Sequence, residues 1–265
     1  MPRFVSYDEG ALVHCIHRGV MGTDIFRDDN DKWRFIRLLY LLNDTYIDNH
    51  LSRTESTLKL FERPDTWPER DPLVEVLAFV VMPNHFHLLL RENKKGGIGK
   101  FMQRLSGSIT LGFNKKYNSV GTIFQSQYKP VVVNSDRHAT YLTAYINIKN
   151  VFELYPNGAL GNAVENFDEV YNWAKQYPFS SLRSWAEGLS SPILHMEEID
   201  RCRQRSSEAL FPFFADEEEF KNFGREVVHT AYQNKKAGKP YTDDGYIDFV
   251  TNATKAIRPQ NSGGG

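Results

Sequence analysis

Alternating and periodic apolar positions divide the first 155 residues into short strands and helices. The stretch ALVHCIHR, residues 11–18, predicts a short strand that ends at Gly19. Residues 28–43 carry apolar side chains at near-helical spacing behind an aspartate pair, which predicts a capped helix. The stretches VEVLAFVVMP and HFHLLLR, residues 74–83 and 85–91, predict two strands joined by a tight turn.

A long amphipathic helix, an extended segment and a further helix follow. Residues 97–117 have apolar side chains at helical spacing on one face and basic side chains on the other. Residues 121–133 indicate an extended segment, either a hairpin or an edge strand, because Pro130 cannot donate a ladder hydrogen bond. Residues 135–154 predict another capped helix. This order predicts an α+β fold, with an antiparallel sheet of four to five strands and helices on one face.

Composition places the chain among ordinary globular proteins. Of its 265 residues, 41% are hydrophobic and 25% are charged, and no apolar run reaches the roughly 18 residues that a membrane span needs. Its two cysteines, Cys15 and Cys202, form no CxxC pattern, which argues against a disulfide framework or a cysteine zinc site. We therefore expect a cytoplasmic protein without a membrane partner.

Positive charge is concentrated in one middle segment. The net charge of the chain is -1, but residues 91–150 contain 10 basic and 2 acidic residues, a local net charge of +8. A local basic surface suits a polyanionic partner whatever the global charge, although an ordinary solvated face would have the same composition.

Two histidines stand one residue apart in a strand pattern. Residues i and i+2 of a strand point to the same face, so His85 and His87 are predicted to project side by side. Two imidazoles in this arrangement can hold one divalent ion. The alternative is a pair of surface histidines on an edge strand.

Five stretches in the same order resemble the REP-associated tyrosine transposases, a family of single-tyrosine transposases with a histidine-hydrophobic-histidine (HUH) motif. The resemblance covers roughly residues 10–187, whereas residues 45–75 look longer than the family needs and 190–265 match nothing in it. The stretches are HCIHRGVMGTDIFRDDNDKWRFIRLL, VLAFVVMPNHFHLLL, GKFMQRLSGSITLGFNKKYNSVGTIFQSQYKPVVV, YLTAYINIKN and YPFSSLRSW.

The resemblance implies a ferredoxin-like core similar to an RNA-recognition (RRM-like) sheet over residues 1–187. We expect a mostly helical C-terminal extension, residues 188–265, with a disordered tail. The implied activity is cleavage and rejoining of single-stranded DNA at hairpin-forming repeats, through a covalent 5′-phosphotyrosine. The implied cofactor is Mg²⁺ or Mn²⁺, and the implied partner is single-stranded or hairpin DNA bound by a monomer or a homodimer.

The resemblance aligns Tyr145 with the family nucleophile and His85 and His87 with its metal ligands. Tyr141 lies one helical turn earlier and is the alternative nucleophile. A tyrosine can store phosphodiester energy by attacking phosphorus, but its pKa of about 10 means that it needs activation.

The chain departs from the family at Lys149, where an Asn or Gln usually provides the third metal ligand. A protonated lysine cannot bind a metal. Asn150 takes over if the helix shifts or ends there, and we predict it as the third ligand. Alternatively, Asn147 or a water fills the position, or Lys149 contacts the phosphate as a point charge and weakens the need for metal.

Two other functional hypotheses compete with that of a transposase. One is a catalytically degenerate nucleic-acid-binding protein on the same core, which Lys149 favours. The other is a metal-dependent hydrolase that uses water and leaves no covalent adduct.

Several other positions are candidates for DNA contact or for structural roles. Arg18 either meets phosphate or ends its strand, and Asn84 is expected to order the turn. His14 and His17 lie three residues apart on one strand and are expected to be structural. The predicted nucleic-acid-binding residues are Lys100, Arg104, Lys115, Lys116, Gln125, Lys129 and Lys149.

Overall fold

A four-stranded antiparallel sheet forms the centre of the fold. In the computed structural model, the described residues are 7–48, 50–51, 55, 57–156, 160–210 and 216–239. The strand order is β2-β3-β1-β4. The strands are β1 (Leu12–Arg18), β2 (Val74–Met82), β3 (His85–Glu92) and β4 (Lys129–Val132).

The hairpin of β2 and β3 and the edge position of β4 follow the sequence pattern. Met82 pairs with His85 across a two-residue turn of Pro83 and Asn84. Pro130 lies opposite Cys15 in β4, which is an outer strand of the sheet. A proline is tolerated at an edge because its missing N–H removes no bond to a further strand. The α+β class and the predicted antiparallel sheet of four to five strands are confirmed, with four strands in the described residues.

Two long helices cover the face of the sheet that bears Phe86. They are α1 (Asp29–Leu41) and α2 (Gly97–Tyr117), and a 3-10 turn (Val20–Gly22) follows β1. The Asp28 carboxylate accepts a hydrogen bond from the Asp31 amide and caps α1. The buried Glu92 carboxylate accepts hydrogen bonds from the amides of Gly96 and Ile98, and so satisfies free N–H groups at the start of α2.

The remaining helices follow β4. The π-helical turn that continues the first of them lies over the opposite face of the sheet, because Tyr145 contacts His87, whereas the neighbouring Phe86 packs against α1. The prediction that helices cover one face is therefore wrong in this respect. The helical segments are α3 (Asp136–Ala144), a π-helical turn (Tyr145–Lys149), α4 (Asn150–Phe152), α5 (Leu160–Glu165), α6 (Phe167–Ala174), α7 (Leu182–Glu187), α8 (Met196–Arg203) and α9 (Glu217–Lys236).

The described residues after position 187 pack into the same hydrophobic core as the sheet. The His195 amide donates to the Val76 carbonyl of the outer strand β2. Gly224 of α9 lies against Ile148 of the π-helical turn, where a Cβ atom would collide with the isoleucine side chain. The boundary at residue 187 stays a prediction, and the predicted disordered tail lies outside the described residues.

The described part of residues 45–75 consists largely of turns and bends, as predicted for a long loop. It is fixed to the body of the protein by an ion pair between Arg63 and Asp44 and by a hydrogen bond from the Thr45 amide to the Asp71 carbonyl. Within the described ranges, no helix is both long enough and apolar enough to cross a bilayer.

His17 predicts an acid-dependent loss of stability. Its Nδ1 is 2.9 Å from Ser106 Oγ and its Nε2 is 2.9 Å from the Ser126 carbonyl oxygen, and burial lowers its pKa to about 4. Between pH 6.5 and 4 the unfolded chain therefore binds a proton that the folded chain does not, so the free energy of unfolding falls as pH falls. We expect His17 to contribute about 2 kcal/mol to the difference between pH 7 and pH 4.5.

Urea unfolding of the wild type and of His17→Gln at the two pH values measures this contribution. The variant should lose less stability on acidification, since glutamine does not titrate. An identical pH dependence in the two proteins would contradict the assignment.

Candidate active site

The pairing of β1 with β3 brings a third histidine to His85 and His87. The register places His14 opposite Leu89 and Arg18 opposite His85, so both side chains share the face of the two histidines. His14 Nε2 lies 2.9 Å from His87 Nδ1, and the two rings stack with centroids 5.1 Å apart. His14, which the sequence pattern marked as structural, thus contacts the HUH motif directly.

Hydrogen bonds leave one ring nitrogen of each motif histidine available. His85 Nδ1 donates to Asn84 Oδ1 at 2.5 Å, and Asn84 Nδ2 donates to the Gly22 carbonyl, which fixes the amide. This tautomer leaves a lone pair on His85 Nε2. His87 Nδ1 is taken by His14, and His87 Nε2 is buried with no hydrogen-bond partner in the part of the chain that the structure describes.

The two available nitrogens fit a divalent cation. The His85 and His87 rings lie with centroids 5.0 Å apart. Buried polar atoms normally have a hydrogen-bond partner, so the unpartnered His87 Nε2 is suited to bind a metal ion. Asn84 and His14 occupy the positions of outer partners that hold ligand rings in one orientation. Asn84 therefore does more than order the turn.

Both histidines are neutral in the ordinary pH range. Burial lowers the pKa of His85 to about 3, with the charges of Arg18 and Lys149 acting in the same direction. Burial also lowers the pKa of His87 well below its usual value, and the neighbouring His14 and His85 add to the effect. Neutral imidazole is the form that binds a metal.

Tyr145 contacts His87 of this pair of histidines. Its ring meets the His87 ring at a centroid distance of 6.0 Å in an edge-on arrangement, and it is only 2% exposed. The Tyr141 ring contacts the Tyr145 ring at a tilt of 30°, with centroids 5.6 Å apart. The predicted nucleophile is therefore next to the predicted metal ligands, and the alternative tyrosine is one helical turn away.

A π-helical turn begins at Tyr145. It changes which side chain lies one helical turn after the tyrosine. The Asn150 amide donates to the Tyr145 carbonyl, an i to i+5 bond that inserts one extra residue into the turn. Lys149 and Asn150 consequently both lie beside the tyrosine. Lys149 Nζ is 3.4 Å from Tyr145 Oη, 3.3 Å from Asn150 Oδ1 and 2.9 Å from Glu153 Oε1.

Asn147 is engaged elsewhere. Its Nδ2 donates to the Thr143 carbonyl at 2.9 Å, and its Oδ1 accepts a hydrogen bond from Ser181 Oγ at 2.6 Å. Ser181 also accepts a hydrogen bond from the Phe79 amide. Asn147 and Ser181 thereby connect the helical segment that carries Tyr145, residues 136–152, to the outer strand β2. We call this segment the tyrosine helix. The arrangement favours Asn150 over Asn147 as a source of a third ligand.

The predicted DNA-binding residues have different surroundings. Arg104 donates to the Asp44 carbonyl, and Lys116 is paired with Asp28 and Asp31 at 2.7 Å. Lys149 is buried. The remaining predicted contacts are exposed, namely Lys100, Lys115, Gln125 and Lys129.

The structure offers few acidic or thiol ligands near the histidines. Over the described ranges, no three His, Cys, Asp or Glu side chains come together in a way that could hold a metal ion. Ligands beyond His85 and His87 would therefore have to be an amide oxygen, a water or the substrate phosphate.

Comparison with known proteins identifies the segment that carries this site. A family model described as "Transposase IS200 like" matches residues 69–149, which span β2, β3, α2, β4 and Tyr145. Among solved structures, a REP-associated tyrosine transposase bound to a REP hairpin is similar, at 17% identity and a TM-score of 0.39. That match covers 72% of this chain and 88% of the other. No curated protein matches the chain. Residues 69–149 are thus similar to the IS200-like transposases, in agreement with the predicted resemblance to single-tyrosine transposases.

Proposed function

We propose that the protein is a metal-dependent single-stranded DNA endonuclease and strand transferase that uses Tyr145 as its nucleophile. The observation that carries this proposal is the position of Tyr145 against His87, whose buried Nε2 has no hydrogen-bond partner among the described residues. A phenol beside two available imidazole nitrogens suits phosphoryl transfer to tyrosine.

The proposed reaction exchanges one phosphodiester for another. Tyr145 Oη attacks phosphorus, the bond from phosphorus to the 3′ oxygen breaks, and the phenolic proton leaves while the departing oxygen takes up a proton as a 3′-hydroxyl. The product is a 5′-phosphotyrosine, and attack by a 3′-hydroxyl on that phosphorus reverses the step. Bond energy is thus conserved for rejoining.

His85 and His87 would hold Mg²⁺ or Mn²⁺ through Nε2, with the Asn150 amide oxygen as the proposed third ligand. When bound, such an ion polarises a non-bridging phosphate oxygen and orients the scissile bond. His14 and Asn84 keep the two rings in the required tautomers. Arg18, which faces His85 across the strand pair, supplies a fixed positive charge for the phosphate.

We propose single-stranded or hairpin DNA as the partner. Lys100, Lys115 and Lys129 are exposed cations of the basic segment, and Lys129 shares the sheet face of the histidines because it pairs with Ile16. A hairpin is also what the similar transposase of known structure binds. A monomer or a homodimer stays a prediction.

A catalytically degenerate binding protein is the second candidate. Tyr145 is 2% exposed and His87 is 1% exposed, so the tyrosine helix has to move before a phosphate can enter. A protein that never opens this site would still present its exposed lysines to DNA.

An adduct assay separates the two candidates. The full chain is incubated with Mn²⁺ and a 3′-labelled hairpin with single-stranded flanks, because the DNA on the 3′ side of the cut stays on the tyrosine, and is then analysed on a denaturing gel. A denaturant-resistant protein–DNA species supports the transferase. Tight binding without any adduct, over a range of flanking sequences, would favour the binding protein.

Lys149 and Asn150 are expected to have different roles that substitution separates. Lys149→Met removes the ammonium beside Tyr145 Oη, and we expect adduct formation to slow by about 100-fold, as for loss of one preorganised donor. Its Mn²⁺ affinity should not fall, because the lysine is not a ligand. Asn150→Ala should instead weaken Mn²⁺ binding by about tenfold or more. A gain in Mn²⁺ affinity and rate in Lys149→Met would show that the lysine obstructs the site.

A further inference from the structure

We propose that a cavity on the other face of the sheet binds one unpaired nucleobase of the substrate strand. It lies between α2 and the segment that leads into β4, has a volume of about 530 Å³, and includes His17 in its wall. His17 faces away from His14 and the motif histidines, so this cavity is separate from the active site. The inference rests on the proposed single-stranded DNA substrate.

The wall of the cavity suits a flat ring. Small residues of α2, Gly99, Ser106 and Gly107, leave space along the helix, and Phe124 and Tyr128 provide aromatic surface opposite. Aromatic side chains stack on any base, because every base has a π face. The volume lies within the roughly 300–1,000 Å³ typical of small-ligand sites.

Contacts within the protein hold the His17 side of the cavity wall in place. The His17 ring stacks on Phe124 with centroids 3.7 Å apart and an interplanar angle of 13°, and both its ring nitrogens are hydrogen-bonded. A neutral, fixed imidazole on a phenyl ring forms a rigid wall that loses little conformational entropy on binding. Gln103 and Gln127 are exposed at the lining and can meet the polar edge of a base.

Charge at the rim points to a nucleotide rather than to an apolar ligand. Lys100 adjoins Gly99, and Lys129 lies between Tyr128 and Pro130, with both lysines exposed. Lys100 can neutralise a phosphate beside an inserted base, and Lys129, whose side chain points to the other face of the sheet, can neutralise one where the strand crosses the edge. The local net charge of +8 in residues 91–150 fits the same occupant.

The edge strand β4 connects the cavity with the active site. Lys129 points to the face of the motif histidines, and the next residue, Pro130, lines the cavity on the other face. No further strand pairs with β4 in the described sheet. A single DNA strand can therefore leave the region of His85 and Arg18, pass Lys129, and turn over this edge so that one base enters the cavity.

Gly107 allows the cavity to be filled without damage to the fold. A Cβ atom at this helical position meets nothing within 4 Å. Gly107→Trp should therefore place an indole in the cavity, and loss of a helical glycine should preserve or raise the melting temperature. Gly107→Ala adds one methyl group at the same position, so a loss confined to the tryptophan variant assigns the effect to filling.

The test is an abasic scan of a fluorescent hairpin with single-stranded flanks, measured as equilibrium binding without any cleavage step. For the wild type, removal of one particular flanking base should weaken binding by roughly 5- to 100-fold. For Gly107→Trp, the intact DNA should bind with a similar loss, and the scan should show no sensitive position. Uniform sensitivity along the flanks, or unchanged affinity in Gly107→Trp, would overturn the proposal.

Two further readouts distinguish this proposal from the others. Base-specific binding without a tyrosine adduct would support the nucleobase cavity and contradict the proposed transferase. An adduct and a DNA affinity that are both unchanged in Gly107→Trp would support the transferase and contradict the nucleobase cavity. A change in oligomeric state in Gly107→Trp, with unchanged DNA affinity, would identify the cavity as a contact between copies and would overturn the nucleobase proposal.

Discussion

Tyr145→Phe is expected to abolish the covalent protein–DNA adduct and to leave DNA affinity within about twofold of the wild type. The substitution removes one oxygen and keeps the ring that packs on His87. Loss of an enzymatic nucleophile typically lowers the rate by about 10⁴- to 10⁶-fold, so no adduct should be visible on the gel. The measurement is the denaturing-gel assay with Mn²⁺, run beside an equilibrium binding titration.

Tyr141→Phe is the matched control for this experiment. Tyr141 lies one helical turn before Tyr145, is also 2% exposed and contacts the Tyr145 ring at a centroid distance of 5.6 Å, so a general effect of hydroxyl loss in this segment would appear in both variants. Adduct formation should persist in Tyr141→Phe. An adduct that survives in Tyr145→Phe and disappears in Tyr141→Phe would transfer the nucleophile to Tyr141.

His87→Ala is expected to eliminate high-affinity Mn²⁺ binding and to reduce adduct formation by at least about 1,000-fold. The substitution deletes one of two proposed imidazole ligands and leaves His14 Nε2 without its bond to His87 Nδ1. A metal-polarised phosphate accounts for several kcal/mol of transition-state stabilisation, and this should be lost with the ion. Calorimetric titration with Mn²⁺ and the adduct assay measure the two effects.

Graded variants locate the effect at the site. His14→Ala removes only an outer partner and should weaken Mn²⁺ binding by about 10- to 100-fold. His17→Gln, on the same strand but facing the other side of the sheet, should bind Mn²⁺ like the wild type at neutral pH. Undiminished Mn²⁺ binding in His87→Ala would place the metal elsewhere or show that the reaction does not need it.

The strands, and the place of the tyrosine helix along the chain, were predictable because they depend on local sequence patterns. The β2–β3 hairpin follows from two apolar runs around Pro83 and Asn84, and an edge position for β4 follows from Pro130. The side of the sheet that each helix covers depends on packing between distant segments. Helices on both faces could therefore not be derived from the strand and helix order.

Two features of the candidate site depend on how the backbone is paired rather than on residue type. His14 meets His87 only because β1 pairs with β3 in one register, and a shift by one residue would turn it to the other face. The π-helical turn brings Asn150 close to Tyr145 by inserting one residue, which a regular helical spacing does not predict. The prediction of Asn150 as the third ligand assumed that the helix shifts or ends there, and the π-helical turn is such a shift. Its role as a ligand stays a prediction.

The basic segment illustrates how a charge count differs from a charged surface. Lys116 forms ion pairs with Asp28 and Asp31, and Arg104 is bonded to the Asp44 carbonyl, so part of the predicted positive face stabilises tertiary structure. Their partners lie 60 or more residues away in the chain, beyond the range of any local pattern. Lys100 and Lys129 remain exposed and flank the proposed nucleobase cavity.

Identification of the residue that becomes linked to DNA tests the central claim most directly. Adduct formed with Mn²⁺ and hairpin DNA is digested with nuclease and protease, and the modified peptide is sequenced by mass spectrometry. We predict a nucleotide joined through a 5′ phosphate to Tyr145. A nucleotide on another residue, or cleaved DNA with no modified peptide, would contradict the tyrosine mechanism proposed for this site.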